Sequence, residues 1–282
     1  MTRLRHLPKL FTAHIDAWGT TFIIGTICLI LHGRLDVHGL ALVAAVTVGY
    51  WLGFAFNDYF DAPFDAQDAK KGARNYFSAV PMSRRAAQVA FTAIMLGLLA
   101  IFLSFGAPGI AVFILAFGIL WAYSAPPLRL KRRPGLDLLT HALFVQTFPY
   151  FIPLALLGVE WTKADVVLLA GFFIASLASQ LEQQARDWEL DRRTESNFTT
   201  TFGRRTTTIL LKAATLALMA LFVASFLAGV IPAILVPFGV ICLPILLHRL
   251  IRHEHQPRSE WLFRLTVLVG LGYAGIMLVM RF

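Results

Sequence analysis

Nine stretches of mostly apolar residues divide this chain, at about 13–32, 39–56, 86–106, 108–125, 138–158, 164–181, 207–229, 230–250 and 260–280. Each is of the order of 17–25 residues, the length at which a helix crosses the hydrocarbon core of a bilayer. A soluble domain carries charge on about a quarter of its residues. Here charged residues are 15% and hydrophobic ones 57%, with a mean hydropathy of +0.68. The reading is an all-α, polytopic membrane protein, one domain over residues 1–282, with lipid bilayer as its surroundings. The first apolar run lacks a small-residue cleavage site and is expected to be a retained helix.

A net charge of +9 would suggest nucleic acid in a soluble protein. Its distribution excludes that partner. With the N-terminus inside, 22 of the 25 Lys and Arg residues fall in the N-terminal tail and the loops of one face; only Arg34, Lys163 and Arg281 fall on the other. The positive-inside rule then puts that face in the cytoplasm. The protein is expected in the inner membrane if the source is bacterial.

Two acidic clusters stand at the ends of apolar runs on that face. In Asn57-Asp58-Tyr59-Phe60-Asp61-Ala62-Pro63-Phe64-Asp65-Ala66-Gln67-Asp68 the carboxylates follow at i+3, i+4 and i+3, so a helix would crowd them together. Asp187 and Asp191 form a second pair at i+4, sharing a face with Gln183. Like charges that close need a divalent cation or basic side chains between them. Carboxylate pairs beside basic loops suggest Mg2+ holding a phosphate-rich substrate, and a membrane cavity adds an apolar tail to that substrate.

Basic residues follow each cluster. The loop from Ala66 to Arg85 carries Lys70, Lys71 and Arg74 and is long enough to fold over the site as a cap. Arg129 and Lys131 alternate with leucines after Pro126-Pro127, which would aim them the same way toward phosphate. Asp137 and His141 are spaced to hydrogen-bond, and His141 is a candidate acceptor-side base, although a cap role suits Asp137 better. His14 and Asp16 are read as a solvated helix end. His248, His253 and His255 read as a solvated loop, and Cys28 and Cys242 as packing residues. Glu195-Ser196-Asn197-Phe198 echoes Arg74-Asn75-Tyr76-Phe77, which suggests two related four-helix units with the ninth helix closing a ring.

The residues resemble a known family. Asn57-Asp58-xx-Asp61-xxx-Asp65 is similar to the NDxxDxxxD motif, and Asp187-xxx-Asp191 to the DxxxD motif, of the UbiA-type intramembrane prenyltransferases. Tyr123-Ser124-x-Pro126-Pro127-Leu128-Arg129-x-Lys131 also resembles a recurrent family element. The resemblance implies nine transmembrane helices ringed about a central cavity with a cytoplasmic cap, and Mg2+-dependent transfer of a prenyl group from a prenyl diphosphate to a lipophilic or aromatic acceptor. It also implies Asp61, Asp65, Asp187 and Asp191 as metal-holding catalytic acids, with Asn57 and Asp58 completing the first cluster. Asn57, Lys70, Arg74, Tyr123, Arg129 and Lys131 would grip the diphosphate. Two departures stand out: Arg74 is followed by Asn75-Tyr76-Phe77-Ser78-Ala79 where many members have Pro-Leu-x-Ser-Gly, and YxxxK fails because Tyr123 plus four is Pro127. Both weaken a 4-hydroxybenzoate acceptor. A UbiA-like terpene cyclase is the alternative; a carboxylate-relay transporter is more remote, because transporter sites lie nearer the bilayer midplane.

Overall fold

The computed structural model describes residues 10–12, 14–67, 69–80, 82–194, 196–254, 256 and 258–280; the side chains of Lys70, Lys71, Arg74, Leu190, Arg193 and Thr194 lie outside the description. Among the described residues there is no strand. The principal helices are α1 (Ile15–Leu31), α2 (Val37–Asp65), α3 (Arg84–Leu103), α4 (Gly106–Ser124), α5 (Leu136–Leu156), α6 (Lys163–Thr194), α7 (Arg204–Leu227), α8 (Val236–Ile251) and α9 (Glu260–Val279). Helices α2 to α7 and α9, and α8 together with its leading 3-10 turn from Ala233, are long and apolar enough to cross a membrane. Helix α1 is equally apolar but only 17 residues long. Each helix packs on its successor and α9 packs on α1, so the ring closes.

Two helices are longer than a bilayer requires. At 1.5 Å per residue, the 29 residues of α2 and the 32 of α6 run about 44 and 48 Å, against a hydrocarbon core of about 30 Å. Their C-terminal ends carry the acidic motifs. Helix α2 starts cleanly because Asp36 accepts a hydrogen bond from the Gly39 amide at 2.8 Å.

Buried charge fixes the ring at both ends. At the end away from the acids, Asp165 is fully buried and accepts from Tyr150 Oη (2.6 Å), His32 Nε2 (2.9 Å), and the Thr162 amide and hydroxyl (2.6 and 2.7 Å), joining α1, α5 and α6. Near the acids, Glu182 on α6 pairs with Arg249 (3.0 Å) at the end of α8 and with Arg252 (3.1 Å) just beyond it. All three are buried. Glu182 therefore ties helices together and does not face the cavity as its neighbours do.

Helix α5 contains a π-helical turn, Ala142–Thr147. Such a turn shifts the hydrogen-bond register and leaves carbonyls short of donors. Hydroxyls supply them: Ser176 donates to the His141 carbonyl (2.8 Å), Thr147 to that of Ala142 (2.8 Å), and Tyr50 to that of Phe144.

Candidate active site

One cavity of about 290 Å³ opens between α2, α4, α5 and α6. Its polar end is lined by Asn57, Asp61 and Asp65 from α2 and by Gln183, Asp187 and Asp191 from α6. The two acidic motifs, more than 120 residues apart in sequence, thus share a single space. Below them the lining along α2 repeats every fourth residue through Gly53 and Gly49 to Ala45, about 24 Å beneath Asp61 on the helix axis. Phe54, Phe102, Phe113, Phe117 and Phe144 give the lining its aromatic surface.

Helical phase explains which acids reach the cavity. Asn57, Asp61 and Asp65 succeed one another at i+4 and face it. Asp58 is one residue out of phase and is not among the residues that line the cavity. Its carboxylate accepts from His14 Nε2 at 2.7 Å, and the His14 ring stacks on Phe54 of the lining. His14 is accordingly no solvated helix end. Burial opposes a charge on its ring, but the hydrogen bond and charge of Asp58, with the charge of Asp16, prevail and raise its pKa above the usual histidine value. Asp68 lies outside the described residues, and so do the side chains of Lys70 and Arg74.

Asp61 is surrounded by donors. Lys131 Nζ contacts its two oxygens at 2.5 and 2.7 Å and Asn57 Oδ1 at 2.9 Å; Arg129 Nη2 donates to Asp61 at 3.2 Å, and Asn57 Nδ2 donates to Asp61 at 3.1 Å. Ser124 donates to Asn57 Oδ1 at 3.0 Å. Arg129 and Lys131 converge, as expected, though not by strand-like alternation. Arg129 has left-handed backbone (φ 40°) and the chain then turns through a 3-10 helix, Leu130–Arg132, which brings both cations to one carboxylate. The Arg129 guanidinium also lies over the Phe64 ring at 5.0 Å.

The second motif is held similarly. Arg186 grips Asp187 with two hydrogen bonds (2.9 and 3.0 Å) and Glu260 at 2.9 Å; Glu260 in turn meets Arg258 at 3.0 Å. Tyr123 lines the cavity and accepts from Gln180 Nε2 at 3.4 Å. Asp137 and His141 do not pair with each other. Asp137 accepts from Gln184 Nε2 (2.6 Å) and the Phe198 amide (2.8 Å), whereas His141 lines the cavity and meets Ser176 at 3.2 Å.

Two asparagines that the motifs did not flag touch the acids. Asn75 Nδ2 donates to Asp65 at 2.9 Å, and Asn197 Nδ2 to Asp191 at 3.1 Å. Where many members have Pro-Leu-x-Ser-Gly, Asn75 caps a short helix, Tyr76–Ala79. The only signal for it was the echo between the two post-motif segments.

Among the described residues no three His, Cys, Asp or Glu side chains stand close enough to form a ready-made metal cage. Mg2+ does not need one, since it is held by one or two carboxylates together with substrate phosphate oxygens. Carboxylates of both motifs lining one partly polar cavity fit that mode.

The model of the UbiA prenyltransferase family matches residues 18–268. A lycopene elongase/hydratase of Corynebacterium glutamicum is 30% identical over 171 residues, which are 55% of this chain and 59% of that protein. The chain thus spans about three-fifths of the length of this curated relative. Among solved structures, a UbiA homologue from Archaeoglobus fulgidus bound to GPP and Mg2+ superposes with a TM-score of 0.75 at 17% identity, over 96% of this chain and 99% of the other. The apo UbiA homologue from Aeropyrum pernix K1 gives 0.70 at 16% identity, over 94% and 98%. With the family's two acidic motifs opening into one chamber inside a ring of apolar helices, the chain belongs to the UbiA prenyltransferase family.

Proposed function

We propose that the protein transfers a prenyl group from a prenyl diphosphate to a lipophilic acceptor within the membrane. The observation that carries this reading is the single cavity with Asp61, Asp65, Asp187 and Asp191 at one end and a phenylalanine-lined apolar space at the other. Those four acids and Asn57 would hold Mg2+, which when bound neutralises diphosphate charge and favours its departure. Lys131 and Arg129, already at the first motif, turn from Asp61 to the diphosphate oxygens and stabilise the charge that develops there. The aromatic wall shields the allylic cation from water and presents negative ring faces to it. Tyr123, on the same wall, borders the diphosphate end, and Lys70 and Arg74 are assigned to the diphosphate on the motif resemblance alone.

The likeness to a lycopene elongase/hydratase supports a hydrocarbon-like acceptor, as does the absence of YxxxK. The distribution of Lys and Arg supports a cytoplasmic N-terminus and active site. Incubating the purified protein with labelled prenyl diphosphates, with and without Mg2+ and candidate acceptors, tests the reading. The expected result is Mg2+-dependent diphosphate release coupled to a prenylated acceptor. A cyclised product formed without acceptor would make the protein a cyclase, and absence of diphosphate release would overturn both.

A further inference from the structure

The segments that follow the two motifs are built alike. After α2, Asn75 Oδ1 accepts from the amides of Phe77 (2.9 Å) and Ser78 (3.3 Å), starting the helix Tyr76–Ala79; its Nδ2 donates to Asp65 Oδ2 (2.9 Å) and the Asp58 carbonyl (2.8 Å). After α6, Asn197 Oδ1 accepts from the Thr200 amide (2.9 Å), starting the helix Phe198–Phe202; its Nδ2 donates to Asp191 Oδ2 (3.1 Å). Both asparagines are buried, at 3% and 5% exposure. In each half, one side chain spends its oxygen on a helix start and its amide nitrogen on the last carboxylate of the motif.

We infer that Asn75 and Asn197 are a matched pair of positioning residues, each presenting the final carboxylate of its motif to the metal–diphosphate complex. The inference rests on the function proposed above. Because the oxygen is committed to backbone amides, two for Asn75 and one for Asn197, the direction of the NH2 group is set, and it holds the carboxylate through one oxygen. Aspartate or serine would cap as well as asparagine does, but neither can donate an amide N–H. Capping alone would therefore leave such variants unaffected, whereas positioning would not. Partners of ligating carboxylates are worth about 10–100-fold in metal affinity.

The test uses the full chain in nanodiscs, with Mn2+ and inorganic diphosphate as the probe and paramagnetic resonance as the readout. Asn75→Asp and Asn197→Asp are each expected to weaken Mn2+ binding about 10–100-fold. In turnover they raise the Mg2+ concentration needed for half-maximal rate, while excess Mg2+ restores kcat. Asn75→Ser and Asn197→Ser, which keep a capping oxygen without placing a charge against the acid, are expected to shift in the same direction. Unaltered Mn2+ affinity in either serine variant overturns the inference, as does a loss of kcat that excess metal does not restore. Failure of the wild-type protein to bind Mn2+ with diphosphate would instead overturn the underlying function, so the two failures are distinguishable.

Discussion

Lys131→Met should reverse sign between two binding experiments. In the protein alone Lys131 Nζ sits 2.5 and 2.7 Å from the Asp61 oxygens and 2.9 Å from Asn57 Oδ1, on the lone pairs a cation would use. Any cation entering the first motif must displace it. A hydrogen bond to a charged group is worth about 1.5–3 kcal/mol net, and about 1.4 kcal/mol is tenfold in affinity. Lys131 should thus weaken Mn2+ binding about 10–150-fold when no diphosphate is present. Arg129, still 3.2 Å from Asp61, keeps the effect toward the lower end. Methionine keeps the length and removes the charge, so Lys131→Met should bind Mn2+ alone more tightly by that factor. Once diphosphate is added the order should invert, because the wild-type lysine then has a phosphate to meet and methionine does not. Titration followed by paramagnetic resonance, with and without diphosphate, reads both arms. Equal or weaker Mn2+ binding by the variant without diphosphate would refute the argument that Lys131 holds the place of the metal.

Other consequences follow from the packing. Glu182→Gln leaves Arg249 and Arg252 buried without their counter-charge, and should cost about 3–5 kcal/mol; thermal unfolding in detergent at matched conditions checks it, and an unchanged midpoint would refute it. A Cβ at Gly49 meets only Leu98 Cδ1 at 3.8 Å, so Gly49→Val should fold and narrow the apolar end. It should raise KM for a long prenyl diphosphate about tenfold more than for the shortest, and equal changes would show that the tail does not pass Gly49. The raised pKa of His14 means its pairing with Asp58 stabilises the fold fully below the unfolded histidine value of about 6.5 and is lost as pH rises through the folded value. Unfolding midpoints measured across that window should fall in the wild type and stay flatter in His14→Phe; parallel curves would contradict the assignment.

Much of this architecture is legible in the chain itself. Apolar run length marks the helices, and i+4 spacing places Asn57, Asp61 and Asp65, and Gln183, Asp187 and Asp191, on common faces. Spacing could not tell what Asp58 meets, because its partner His14 is 44 residues away. Partners distant in sequence account for the other gaps: Glu182 and Arg249 form a buried pair across 67 residues, with no local sign of it in either segment. His32 and Asp165, 133 residues apart, gave no local sign of their contact. The π turn in α5 depends on Ser176 and Tyr50, hydroxyls on two other helices. Asn75 and Asn197 were visible only as a faint repeat, since a cap residue looks the same whether or not its amide has a second task.

The central claim is that both acidic motifs act on one diphosphate. A structure of the protein with Mn2+ and an unreactive prenyl diphosphate analogue, with the metal located by anomalous scattering, tests it most directly. The account predicts metal bound to the diphosphate and ligated by carboxylates from α2 and from α6, with the prenyl chain running toward Gly53 and Gly49. Metal and diphosphate held by one motif alone, with the other still closed on its own arginine or lysine, would contradict it.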